Sequence, residues 1–114
     1  MSNQESPTVH FFPAVLARAA FGPDKMQKLD CFQTPRLFVG LNSFEPGQSQ
    51  RIHAHEGADK FYLVLSGKAS VTVGDETRVV GAGDLVLAPA GAPHGVPMAH
   101  ERTVMLVGIT KQAV

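Results

Sequence analysis

Residues 47–67 read GQSQRIHAHEGADKFYLVLSG, with Pro46 in front. His53 and His55 lie two apart in a segment, Gln50 to His55, that reads as a strand. Side chains at i and i+2 of a strand leave the same face. The two imidazoles therefore project together, at a spacing suited to gripping one metal ion. A second stretch, Gly83 to His94 (GDLVLAPAGAPH), brings a third histidine after a strand and a Pro/Gly turn. Three neutral imidazoles on one face leave coordination positions open, which suits Fe, Cu, Ni, Zn or Mn. An HxH pair by itself is more simply a polar pair on a half-exposed strand.

Outward from these stretches the pattern is all-β. Strands are expected at Arg36–Phe44, Gln50–His55, Lys60–Leu65, Ala69–Val73, Thr77–Val80, Leu85–Ala88 and Thr103–Thr110. Turn residues separate them: Glu45-Pro46-Gly47-Gln48, Gly74-Asp75-Glu76, Gly81-Ala82-Gly83-Asp84 and the rigid Pro89–Pro93. Short strands with turns at close intervals point to a sandwich or small barrel. Toward the N-terminus the reading is less determined. Residues 1–9 are polar and expected to be loosely attached. His10–Ala20 reads equally as an edge strand or as a helix after Pro13, and Phe11 and Phe12 are expected to be buried. Lys25–Asp30 is expected to form one helical turn.

The 114 residues make one domain, large enough for one core. Ten basic and ten acidic side chains balance, so no overall field favours nucleic acid or an anionic membrane. Neutrality eases self-association. The lone Cys31 cannot form an intramolecular disulfide, and the N-terminus lacks the basic start of a secretory leader. No apolar run is long enough to span a bilayer. A cytoplasmic protein is the expectation.

The sequence resembles a small single-domain cupin. That family's first motif is a glycine, five residues, HxH, three or four residues, a glutamate, six residues and a glycine. Gly47, His53, His55 and Gly67 fall in register with it. The second motif is a glycine, five residues, PxG, two residues, a histidine, three residues and an asparagine. Gly83, Pro89, Gly91 and His94 match. The likeness spans roughly residues 36 to 110. It implies an all-β fold, a small antiparallel jelly-roll β-barrel over 35–114, with residues 1–34 as an N-terminal arm of the same domain. It implies an inward-facing site for a divalent transition metal on His53, His55 and His94, a small-molecule ligand in the barrel, and a homodimer. The Phe11-Phe12 pair and the apolar 103–110 strand would offer the adhesive surface.

Two positions depart from the pattern. The glutamate position holds Lys60 and the asparagine position Met98. An ammonium about 5 Å from a divalent ion is repelled by roughly 7 kcal/mol at an effective dielectric of about 20. Lys60 is then neutral, or swings to solvent, or the site holds no tight metal. Asp59 and Glu56 are the nearest carboxylates in sequence and read most simply as a solvated loop. By alternation Arg51 shares the face of the histidines and can meet a substrate carboxylate, or can form a salt bridge at the rim. Tyr62 shares a face with Lys60, either lining the cavity or packing as an amphipathic core residue. Phe61, Leu63 and Leu65 would pack against a helix, the arm or a second subunit. Lys60, Arg51 and Tyr62 are thus candidate substrate contacts. The resemblance implies a metal-dependent dioxygenase, isomerase or decarboxylase, or alternatively a non-catalytic module that binds or senses a small molecule.

Overall fold

A computed structural model describes residues 10–111 of the chain. The expectation for residues 1–9 lies outside the described residues. Nine strands follow a single 3₁₀ turn at Val15–Arg18. They are β1 (Gln27–Gln33), β2 (Leu37–Phe44), β3 (Gln50–His53), β4 (Lys60–Ser66) and β5 (Lys68–Val73), then β6 (Glu76–Gly81), β7 (Leu85–Ala88), β8 (His94–Ala99) and β9 (Thr103–Thr110).

All pairings are antiparallel, in a five-stranded sheet β1-β2-β9-β4-β7 and a four-stranded sheet β3-β8-β5-β6. This is the all-β jelly roll. Alternation along β4 turns Lys60, Tyr62 and Val64 inward and leaves Phe61, Leu63 and Leu65 on the outer face. Tyr62 and Val64 join Phe44, Val71, Val96, Met105 and Val107 in the core between the sheets. Burial of such side chains contributes about 1.5–3 kcal/mol each and is the main favourable term holding the sheets together.

The turn between β4 and β5 depends on Gly67. Its φ of +91° lies in the region that other L-residues avoid, and an added Cβ would stand 2.2 Å from the Arg102 carbonyl oxygen. A methyl there meets backbone, which cannot step aside. This gives the last glycine of the first motif its physical reason.

Three sequence expectations change, and one strand, unread in the sequence, is added. Lys25–Asp30 is not a helical turn, because residues from Gln27 onward form β1 and pair with β2. The polar–apolar alternation of Lys28, Leu29, Asp30 and Cys31 is the strand signal that those charges obscure. Residues 94–99 form a strand despite Gly95 and Pro97. Phe12 packs edge-on against Phe32 with centroids 5.9 Å apart, whereas Phe11 is 85% exposed. And β9 is no free adhesive surface: it is the central strand of the larger sheet, paired on both edges. Among the described residues no helix is long and apolar enough to cross a membrane.

Candidate metal centre

β3 and β8 run side by side, and their register places His53 opposite His94. Between that pair and the Gln50–Val96 pair, β3 places two residues, Arg51 and Ile52, where β8 places one, Gly95. The extra residue is a β-bulge, which bends the strand and resets its alternation. Gln50 is consequently buried on the same side as the histidines, while Arg51 and Ile52 stay exposed. Gly95 makes room for this. A Cβ at Gly95 would lie 2.9 Å from the carbonyl oxygens of Gln50 and Arg51.

The three histidines meet. Their ring centroids are 4.5 Å (His53–His94), 4.8 Å (His53–His55) and 5.4 Å (His55–His94) apart. One ligand nitrogen from each lies within 4.8 Å of the others. Backbone carbonyls fix two of the rings. His53 Nδ1 donates to Arg51 O at 2.8 Å, and His94 Nδ1 donates to Ala92 O at 2.9 Å. A carbonyl only accepts, so the proton sits on Nδ1 and the Nε2 lone pair of each ring faces inward. His53 Nε2 and His55 Nε2 are 3.1 Å apart. Two nitrogens on one ion at ~2.1 Å are about 3.0–3.4 Å apart for right-angled to tetrahedral geometry.

His94 supplies the test of fit. It is 1% exposed, and its Nε2 has no hydrogen-bond partner. A buried polar atom without a partner costs roughly 1–3 kcal/mol, and a cation held between the rings removes that cost. Burial pushes the His94 pKa below its usual value, an effect opposed by the Ala92 carbonyl and reinforced by Lys60 and the two other histidines. Burial also lowers that of His55, followed by the nearby charge of His53, Lys60 and Lys28. Both rings therefore release their protons more readily than a free imidazole, which favours their neutral, metal-binding form.

Lys60 does not swing out. It is 4% exposed, inward-facing, with Nζ 4.8 Å from the centroid of the Tyr62 ring. Burial, and then the charge on Lys28, push its pKa down from 10.5 to about 8. Tyr62 is fully buried and donates from its hydroxyl to Gln50 Oε1 at 3.0 Å. Burial drives the phenol pKa well above its usual value, so this donor is permanent. Asp59 is committed elsewhere, its Oδ1 accepting from Ala90 N at 2.9 Å and so fastening the 89–93 turn. Glu56 is exposed in the loop after β3. Met98 is 46% exposed, facing away from the centre. His10 is exposed, and His100 bonds Ser70 Oγ at 2.7 Å on the surface.

A cleft of about 940 Å³ opens beside His53 and His55. Arg51 and Lys60 line it, and so do Gln50, Lys25 and Lys28, which sequence reasoning does not connect with the site. The bulge hides Gln50. The two lysines are hidden because Lys25–Asp30 reads as a helical turn, whereas Lys25 precedes β1 and Lys28 lies on it. A smaller cleft of about 490 Å³ between β6 and β7 holds none of the histidines.

A two-sheet β-barrel with three inward histidines at one end defines a class, and comparison with known proteins names it. The family described as "Cupin domain" matches residues 40–110. The chain belongs to the cupin family. Over 60 residues it is 45% identical to an uncharacterized protein of Streptomyces coelicolor, a match covering 51% of this chain and 54% of that protein. Over 80 residues it is 35% identical to mannose-1-phosphate guanylyltransferase 2 of Escherichia coli O157:H7, covering 69% of this chain and 16% of the enzyme. The chain thus spans about half the length of the first relative and far less of the second. Among solved structures it is similar to a protein of Thermus thermophilus (41% identity, TM-score 0.74, 83% of this chain and 91% of that one). KdgF from Halomonas sp. shares the fold (24% identity, TM-score 0.78, 92% and 96%).

Proposed function

We propose that this cupin binds one divalent transition metal through His53, His55 and His94 and takes a small organic molecule into the adjoining cleft. The observation that carries the reading is the buried Nε2 of His94, unpartnered and grouped with the two other imidazoles. Fe, Ni, Zn, Mn and Cu all suit an all-nitrogen set. When bound, such an ion supplies a Lewis acid with open positions, the chemistry behind dioxygenase, isomerase or decarboxylase activity. The chain's own groups set its surroundings. The Arg51 and Ala92 carbonyls hold two rings in one tautomer, and Tyr62 and Gln50 close the floor. A second reading, a binding or sensing module without turnover, is favoured by Lys60 standing where a carboxylate ligand is expected. The lone, half-buried Cys31 fits a cytoplasmic setting.

The test is metal content after incubation of untagged protein with each of the five ions and desalting. One equivalent is expected for at least one ion. His53→Ala and His94→Ala should each weaken binding by about 100-fold, alike in both, since each removes one ligand of three. No retained metal from any of the five would end the metal reading.

This reading includes a homodimer. Leu85 and Leu87 are 69% and 62% exposed and pair across the sheet with Leu63 and Phe61, forming an uncharged patch on its outer face. β7 is also a sheet edge, paired only with β4. Such an edge pairs readily with its own copy about a two-fold axis, and a chain of zero net charge does not repel its twin. Sedimentation should show a dimer at tens of micromolar, taken as an order-of-magnitude working range. Leu85→Lys with Leu87→Lys should yield a folded monomer; a wild-type monomer at that concentration rules the pairing out.

A further inference from the structure

We propose that the cleft beside the histidines binds a small organic polycarboxylate, one of whose carboxylates takes the place that Lys60 denies to a chain carboxylate. The second half of this statement rests on the metal reading above; the first half does not.

Four cationic side chains line the cleft: Lys25, Lys28, Arg51 and Lys60. No aspartate or glutamate lines it, although the chain as a whole carries ten acidic residues against ten basic ones. The segregation of sign is therefore local. Three elements create it: the approach to β1, β3 with its bulge, and the start of β4. The described residues contain two ion pairs, Arg78 with Glu76 and Arg102 with Glu45, and neither involves these four cations. Asp59, the residue just before β4, is turned to the Ala90 amide instead.

Lys60 carries the argument furthest. It is nine-tenths buried and more, has no ion pair among the described residues, and its ammonium lies over the face of Tyr62. Lys25, Lys28 and Arg51 are exposed and Lys60 is buried, and gathering like charges around one cleft opposes folding, because each raises the energy of the next. An anion bound there reverses that sign. A single carboxylate leaves most of the positive charge unanswered, so a ligand with two or more is the better match. Arg51 presents a planar fork suited to carboxylate oxygens, and lysine ammoniums act as point charges around it. The family's glutamate would ordinarily bring one carboxylate to the three histidines. Here the same place adjoins an ammonium, which attracts a carboxylate arriving on the ligand. Binding and electrostatic neutralisation of the centre thus become one event.

The experiment is calorimetric titration of the full chain with malonate, its neutral isostere malonamide, and inorganic phosphate. Each is run on metal-free and on zinc-loaded protein, at low and high salt. Malonate is expected to bind metal-free protein and to outbind malonamide by ~10-fold or more, with affinity falling as salt rises. Zinc should tighten malonate further. The pair Lys28→Gln and Arg51→Gln should lower malonate affinity by ~10-fold while circular dichroism shows the fold intact. Malonamide binding as tightly as malonate, or malonate affinity unmoved by the double substitution, overturns the proposal. Phosphate matching malonate on both forms overturns the assignment to carboxylates. Should none of Fe, Ni, Zn, Mn and Cu be retained while malonate still binds, the metal reading is refuted and the anion site upheld.

Discussion

Replacing Lys60 by glutamate is expected to raise metal affinity by ~100-fold or more at pH 7, about 2.7 kcal/mol. Two effects add. The ammonium, held inside the barrel at 4% exposure, repels any cation at the histidines, and the substitution removes it. The new carboxylate then stands on the inward face of β4 as a fourth ligand. Lys60→Met separates the two effects, since it removes the charge without adding a ligand, and its gain should be smaller. The pH dependence provides an internal control. With burial holding the pKa values of His55 and His94 below the usual one, those rings are mostly neutral by pH 7. Wild-type affinity should nevertheless keep rising between about pH 7 and 9, as Lys60 loses its proton around pH 8. The rise should flatten in Lys60→Met. Competition titrations against a chelator at several pH values measure all of this, and unchanged affinity in both variants with the fold intact would place Lys60 outside the site.

Metal-free Lys60→Met should also be more stable than wild type at pH 7 by about 2 kcal/mol. The lysine pKa falls from 10.5 in the unfolded chain to about 8 in the folded one. The unfolded state therefore holds the proton more tightly, and protonated Lys60 opposes folding. That shift amounts to roughly 3 kcal/mol, reduced by the cation–π contact with Tyr62, worth about 1 kcal/mol, which the substitution also removes. The sign follows from linkage. Below pH 8 both states are protonated and the penalty is complete. Between about 8 and 10.5 the unfolded chain binds more protons than the folded one, so stability climbs with pH. Above that window Lys60 is neutral in both states and the penalty is gone. Urea denaturation at pH 7 and pH 10 on both proteins isolates the contribution: the advantage of the variant should shrink by most of its size at the higher pH. Equal stability at pH 7 would show that Lys60 carries no burial penalty.

Much of this is legible in the sequence because strands and turns use different residues. Leu85–Ala88 and Thr103–Thr110 are bounded by Gly, Asp and Pro or by charged residues, and both form strands over those bounds. The expected strand Gln50–His55 stops at His53, so His55 converges from just beyond β3 and period-two spacing alone does not place it; the meeting of all three histidines follows from the likeness of the motifs. The inward placement of Lys60 beside Tyr62 follows from strand alternation. What stays hidden depends on residues distant in sequence. Nothing local announces an extra residue in β3; the bulge exists because Gly95 on β8 lets two backbones approach, and it alone sets the direction of Gln50. Pro97, which argues against a strand, is tolerated because it lies at the break in the β5–β8 register, where no ladder amide is required. The cationic wall is out of reach for a related reason: half of it comes from Lys25, just before β1, and Lys28 on it, and the charges of that segment look like a helix surface.

The position of β9 has a consequence for how the protein is made. β2 and β4 do not touch one another within the larger sheet; each is joined to it through residues 103–110. Until those residues leave the ribosome, the sheet exists only as two separate strand pairs, β1 with β2 and β4 with β7, each with a bare edge and an unfilled apolar face. Met105 and Val107, which close the core, arrive with the same segment. The larger sheet therefore cannot be completed before β9 joins it, although the smaller sheet that carries His53 and His94 contains no residue of β9. Completion of the larger sheet joins distant parts of the chain, a kind of pairing that is slow for that reason.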